Sequence, residues 1–95
     1  MDIFVYMITV KPVKKSYVGK TGNYTKRIAS HKSESKKSNK ELYNDIREYG
    51  WSQAETKILG RYPEEIAKIK ENEFIIKHKT NQKKFGYNIR TDRVN

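Results

Sequence analysis

The sequence has 95 residues, 35% hydrophobic and 12% aromatic, a length that suits one domain spanning residues 1–95. It contains no cysteine and only two histidines, which excludes disulfides and thiolate metal sites and argues against structural zinc. No apolar run is long enough to cross a membrane, and the N-terminus lacks the pattern of a signal peptide. We therefore expect a soluble, cytoplasmic protein.

The formal net charge of +10 is concentrated in the first part of the chain. Residues 1–40 hold ten Lys or Arg and two acids (+8), whereas residues 41–95 hold eleven and nine (+2). This asymmetry indicates a polyanionic partner, most simply nucleic acid, with a merely solvated lysine-rich surface as the alternative. The candidate phosphate-binding residues are Lys14, Lys15, Lys20, Lys26, Lys32, Lys36 and Lys37.

The first predicted elements form a β-hairpin followed by a helix. Residues 3–10 are rich in β-branched and aromatic side chains, and the strand should stop where Pro12 follows. Residues 16–19 suit an antiparallel partner that ends at a glycine turn. From Tyr24 to about residue 33, helical spacing predicts the first helix.

The second half of the chain predicts two more helices, one more strand and a polar tail. A helix over about 41–49 should end at Gly50, and residues 53–59 alternate like a half-exposed strand. Pro63 and the two acids after it favour a longer helix that runs to about residue 79. The predicted fold class is α+β, a small three-stranded antiparallel sheet flanked by helices.

Two short motifs are candidates for phosphate binding, and the first of them fails. The Gly-Lys-Thr at 19–21 is not a phosphate-binding loop, because that motif needs a further glycine where Lys14 stands. Arg27 and His31 lie four residues apart and share one helix face, an arrangement suited to a phosphate. An exposed arginine beside a histidine at the edge of the core is the competing interpretation.

A carboxylate falls within an isoleucine stripe of the third predicted helix. Ile66, Ile69 and Ile76 share a face at the helical period, with Glu73 among them, whereas Glu71 points away. A carboxylate on such a face needs a partner, because unpaired burial is costly. A surface ion pair with a neighbouring lysine and a metal site are both compatible with this position.

Six segments in order resemble the GIY-YIG nuclease family over nearly the whole chain. FVY at 4–6 and YVG at 17–19 are similar to its two tripeptides, although Phe4 replaces the first glycine. YTKRIASH at 24–31 resembles the helix with the family's arginine and histidine, and ELYNDIREYGW at 41–51 resembles its second helix. ENEFIIKHKT at 71–80 and GYNIR at 86–90 are similar to the glutamate and asparagine segments.

The resemblance implies a phosphodiester hydrolase whose site residues come from the hairpin and the first helix. Tyr6 would be the general base for the attacking water, and Arg27 would stabilise charge on the phosphate. Tyr17 and His31 would orient the water or relay the proton. A free tyrosine has a pKa of about 10. The role of general base therefore needs nearby positive charge that favours the phenolate.

The resemblance also implies one divalent cation, Mg²⁺ or Mn²⁺, held by Glu73, with Asn88 supporting the geometry of the site. The predicted function is a metal-dependent DNA endonuclease, with DNA as partner and no membrane. The alternative is a non-catalytic nucleic-acid-binding module with the same fold. Because the chain carries no extra targeting segment, a protein partner or a further targeting domain would suit either function.

Overall fold

Strand β1, Asp2–Val10, is the centre of a three-stranded antiparallel sheet in this computed structural model, which describes residues 2–88. β2 spans Lys15–Thr21 and β3 spans Ala54–Pro63, giving the order β2-β1-β3. The predicted α+β class and strand pairing are confirmed. The predicted polar tail lies outside the described residues.

Strand β2 continues past the glycine where we expected a turn. Gly19 pairs with Tyr6, and the ladder runs on to Thr21 opposite Phe4. The absence of a side chain at Gly19 therefore lets the Tyr6 hydroxyl lie close to the backbone of β2. A methyl group added at Gly19 would lie 2.6 Å from Tyr6 Oη, a separation too short for non-bonded atoms.

Three helices flank the sheet: α1 spans Tyr24–Glu34, α2 spans Glu41–Tyr49 and α3 spans Glu64–His78. Asn23 caps α1, because its side chain accepts a hydrogen bond from the backbone N–H of Lys26 at 3.0 Å. α2 ends at the predicted glycine, whose φ of 96° is unfavourable for other residues. None of the helices within residues 2–88 is long and apolar enough to cross a membrane.

The two faces of the sheet carry separate apolar clusters. On one face, Tyr6 and Ile8 of β1 are buried with Tyr43 and Ile46 of α2. On the other face, β1 and β2 pack against α3. Because side chains alternate along a strand, neighbouring residues of β1 serve different clusters.

The face that α3 turns inward differs from the predicted one. Ala67, Glu71 and Ile75 are buried, whereas Glu73 is exposed and its carboxylate pairs with the Lys70 ammonium at 3.3 Å. The placement of Glu73 on an inward stripe is therefore wrong. Apolar residues occur around most of this helix, so more than one face fits a helical period, and packing against the sheet selects the face with the small alanine.

The last described segment covers part of the outer edge of β2. Ser16 donates its N–H to the Phe85 carbonyl at 3.0 Å, and its own carbonyl accepts from the Tyr87 N–H at 2.9 Å. The Asn88 side chain then forms two hydrogen bonds of 2.8 Å, accepting from the Val18 N–H and donating to the Val18 carbonyl. Asn88 thus acts like one more pairing residue along β2.

Candidate active site

The hydroxyl of Tyr6 and the imidazole of His31 form the centre of the site. Tyr6 Oη lies 2.7 Å from His31 Nε2, and each residue is only 1% exposed. β1 supplies the tyrosine and α1 supplies the histidine, so the contact joins residues 25 positions apart. Arg27 lies one turn before His31, close enough to the Tyr6 hydroxyl that its charge favours the ionised phenol. The structure therefore brings the predicted phosphate-binding pair of α1 to the predicted base.

Tyr17 completes an aromatic cluster on the same face of the sheet. Its ring centroid lies 6.3 Å from that of Tyr6 and 5.6 Å from that of His31. Tyr24, the first residue of α1, packs edge-on against Tyr6 at 6.0 Å. Such tilted and edge-on contacts are favourable for aromatic pairs. Tyr17 is only half-buried, so it is more accessible to solvent than Tyr6.

Burial sets the protonation of Tyr6. Removal of its hydroxyl from water, together with the neighbouring Tyr17, raises the pKa of Tyr6, while Arg27 opposes this rise. The interaction is mutual: burial by itself would lower the pKa of Arg27, but the nearby tyrosines, Tyr6 first, more than offset this and raise the pKa. Tyr6 is therefore a neutral phenol in the resting protein, and Arg27 is the nearby group that favours its ionisation.

His31 is held neutral between two phenols. Burial, together with the positive charges of Arg27 and Lys40, lowers the pKa of His31 to about 4. Its second ring nitrogen, Nδ1, lies 2.8 Å from the hydroxyl of Tyr43 on α2. Both nitrogens of the imidazole thus have a hydroxyl partner inside the fold.

Glu71, rather than Glu73, is the carboxylate of α3 that lies against the sheet. It is 8% exposed, and its carboxylate makes no hydrogen bond or ion pair with any residue from 2 to 88. Within the same residues, no three acids or histidines cluster as a ready-made metal site. Glu71 lies on the sheet face opposite the tyrosines, because α3 packs on that face through Ile75.

The predicted nucleic-acid-binding lysines differ in their availability. Six of them are exposed: Lys14, Lys20, Lys26, Lys32, Lys36 and Lys37. Lys15 does not belong with these, because its ammonium lies 2.5 Å from the Glu41 carboxylate and 4.9 Å from the centre of the Tyr87 ring. The charge of Lys15 is thus already paired with an acid of the chain.

Two residues of the site were missed by sequence reasoning. The spacing of Ala67, Glu71 and Ile75 by four residues each was a signal for the inward face of α3, but the isoleucines outweighed it. Tyr43 lies beside Leu42 on the buried side of α2. From the sequence, a tyrosine at such a position is expected only to pack in the hydrophobic core. Its contact with His31 follows from how α1 and α2 pack.

Comparisons with known proteins agree on one family. A family model described as the GIY-YIG catalytic domain matches residues 2–88. Among solved structures, a mutant of the catalytic domain of intron endonuclease I-TevI is similar, with 25% sequence identity and a TM-score of 0.77, and the match covers 94% of each chain. No curated protein was found to match the sequence.

Proposed function

Because this chain belongs to the GIY-YIG family of catalytic domains, we propose that it is a DNA endonuclease that hydrolyses phosphodiester bonds with one divalent cation. The observation that carries the proposal is the convergence of Tyr6, Tyr17, Arg27 and His31 on one sheet face. A buried phenol bonded to an imidazole, with a guanidinium beside it, combines a proton path with an anion-binding group.

The proposed position of the scissile phosphate is the edge of β2 near Gly19. Among the described residues, the C-terminal segment pairs with β2 only as far as Val18. No residue from 2 to 88 pairs with the last part of the strand, Gly19 to Thr21, at that edge. A phosphate there could meet Arg27 from one face of the sheet and Glu71 from the other. Arg27 would bind it and stabilise the negative charge that develops during attack.

The residues fit the Mg²⁺ or Mn²⁺ implied by the family, with Glu71 in place of Glu73 as the protein ligand. Such an ion is commonly held by one or two carboxylates, the substrate phosphate and water, so a single unpaired carboxylate is sufficient. The bound cation would supply Lewis-acid stabilisation of the phosphate oxygens. Glu71 would contribute the negative charge that holds the cation.

Tyr6 would take the proton of the attacking water while its own proton passes to Nε2 of His31. The water oxygen forms a bond to phosphorus, and the bond from phosphorus to the leaving oxygen breaks. Because both ring nitrogens of His31 are hydrogen-bonded to hydroxyls inside the fold, the proton gained on Nε2 would return to the Tyr6 hydroxyl, which would pass a proton toward that leaving oxygen. Tyr17, the more accessible phenol, would orient the water.

Cleavage of supercoiled plasmid in Mg²⁺ or Mn²⁺, with a chelator as the blank, tests the proposal. Arg27→Ala should abolish cleavage. Arg61→Ala removes an arginine of β3 whose side chain is exposed and pairs with Asp2, so it should leave cleavage unchanged. If the wild-type protein bound plasmid but never cut it in either metal, the non-catalytic DNA-binding alternative would replace the endonuclease.

A further inference from the structure

Tyr43 ends a buried chain of three polar groups that begins at Tyr6. Tyr6 Oη lies 2.7 Å from His31 Nε2, and Tyr43 Oη lies 2.8 Å from His31 Nδ1. The three residues are 1%, 1% and 6% exposed, and they come from β1, α1 and α2. The reaction proposed above uses Tyr6 and His31, and leaves Tyr43 without a role.

The hydrogen of Tyr6 indicates the direction of this chain. Arg27 can only donate, so it cannot accept the Tyr6 hydrogen. Among residues 2–88, the acceptor within reach of that hydroxyl is His31 Nε2. A neutral imidazole carries one hydrogen, which must then lie on Nδ1 and be donated to Tyr43 Oη. A phenol can accept a hydrogen bond while it carries its own hydrogen, so Tyr43 Oη can take this role.

We propose that Tyr43 is a positioning residue that holds His31 in the Nδ1–H tautomer and so keeps Nε2 free to accept the Tyr6 proton. The consequence for catalysis rests on the proposed endonuclease function, whereas the tautomer does not. A hydrogen bond at one ring nitrogen generally determines which nitrogen carries the hydrogen. Burial raises the pKa of Tyr43, so it remains a neutral phenol in this role.

The same contact would also orient the ring during proton transfer. When His31 gains a proton on Nε2, both ring nitrogens become donors, and Tyr43 Oη still accepts from Nδ1. A buried imidazolium with one unpaired N–H would be costly. Tyr43 therefore supports His31 both before and after it accepts the proton, and it acts through the His31 ring.

The first test is the tautomer of His31 in the wild-type protein. Nitrogen-15 NMR of the histidine rings, at neutral pH and without DNA or metal, identifies which nitrogen carries the hydrogen. We expect the hydrogen on Nδ1. A hydrogen on Nε2 would overturn the inference whatever the protein's activity, because Tyr43 would then donate to the imidazole instead of accepting from it.

The second test compares Tyr43→Phe with Tyr87→Phe. The control also removes a phenol that forms a 2.7 Å hydrogen bond to α2, to the Asp45 carboxylate, but it does not contact His31. In Tyr43→Phe the fraction of His31 with hydrogen on Nε2 should rise, and single-turnover cleavage should slow by ~10-fold or more at unchanged DNA affinity. Tyr87→Phe should change neither.

These readouts separate the inference from the proposed function. A wild-type protein that does not cleave DNA would reject the endonuclease, while the NMR result would still decide the role of Tyr43 in the fold. An active protein in which Tyr43→Phe changes neither the tautomer nor the rate would reject the positioning role alone. Equal slowing by both substitutions would point to general destabilisation and would also reject it.

Discussion

Gly19 lies directly opposite Tyr6 in the hairpin, and the phenol of Tyr6 occupies the space that a side chain at position 19 would need. An added methyl group would lie 2.6 Å from Tyr6 Oη and 2.9 Å from Tyr17 Cε2. The glycine thus leaves room for the end of the Tyr6 ring, whose hydroxyl reaches His31 at 2.7 Å.

Gly19→Ala should therefore damage both stability and activity. Forcing a methyl group into packed surroundings typically costs roughly 1–3 kcal/mol. The displaced phenol should also lose its contact with His31, so cleavage should slow by more than the loss of folded protein explains. Gly22→Ala, at an exposed position between β2 and α1, is the control for thermal unfolding and single-turnover cleavage. Similar behaviour of the two variants would contradict the packing argument.

Glu71→Gln should abolish cleavage in Mg²⁺ and Mn²⁺ while DNA binding persists, because the substitution removes one negative charge and keeps the shape of the side chain. Glu73→Gln removes an exposed carboxylate in a pair with Lys70 and should cost at most about 0.5 kcal/mol of stability. Its cleavage rate should match the wild type. Metal titrations of cleavage, with DNA binding measured in calcium, distinguish the two. An inactive Glu73→Gln beside an active Glu71→Gln would reverse the assignment.

Acid should destabilise the protein through His31. The unfolded chain has an ordinary histidine pKa of about 6.5 and the folded protein about 4, so between these values the unfolded chain binds more protons. Stability is therefore fully present above pH 6.5 and falls as the pH drops toward 4, by on the order of 3 kcal/mol from this group.

The histidine contribution can be isolated by substitution. Urea unfolding at several pH values should show that the free energy of unfolding falls less with acid for His31→Gln than for the wild type. The variant has no imidazole to protonate at that site. His78→Gln retains His31 and should keep most of the steep loss. If His31→Gln followed the wild-type curve throughout, the acid sensitivity would belong to other groups.

The exposed lysines near the site should determine the salt dependence of DNA binding. Each phosphate contact contributes a slope of about −0.9 to the plot of log affinity against log salt. Replacing Lys20 and Lys26 together should make the slope shallower by about two. Lys57 and Arg61 are exposed on β3, at the edge of the sheet opposite β2, and their replacement should leave the slope unchanged. Equal effects of the two pairs would show binding by net charge alone.

Much of the fold could be predicted from local sequence features. The hairpin follows from two β-branched and aromatic runs around a proline-containing turn, and its register places Tyr6 and Tyr17 on one face. Arg27 and His31 share a face because they are four residues apart on one helix. Each of these inferences depends on a short stretch of chain with one dominant periodicity.

The face of α3 could not be predicted in the same way. Its apolar residues are distributed around the helix, so exposed Ile69 and Ile76 and buried Ala67 and Ile75 fit the helical period equally well. The carboxylate on the inward face is Glu71 because Ile75 packs against Val5 and Val18 of the sheet. That choice depends on contacts between residues more than fifty positions apart.

The sequence by itself determined the α+β architecture, the clustering of charge and the family to which the chain belongs, because these depend on composition, short-range periodicity and the order of motifs. Only the tertiary structure decided that Glu71 faces the sheet, that Lys15 is paired with Glu41, and that Tyr43 contacts His31. Those relationships arise when separate helices pack on one sheet. No local pattern records which side chain meets which across such an interface.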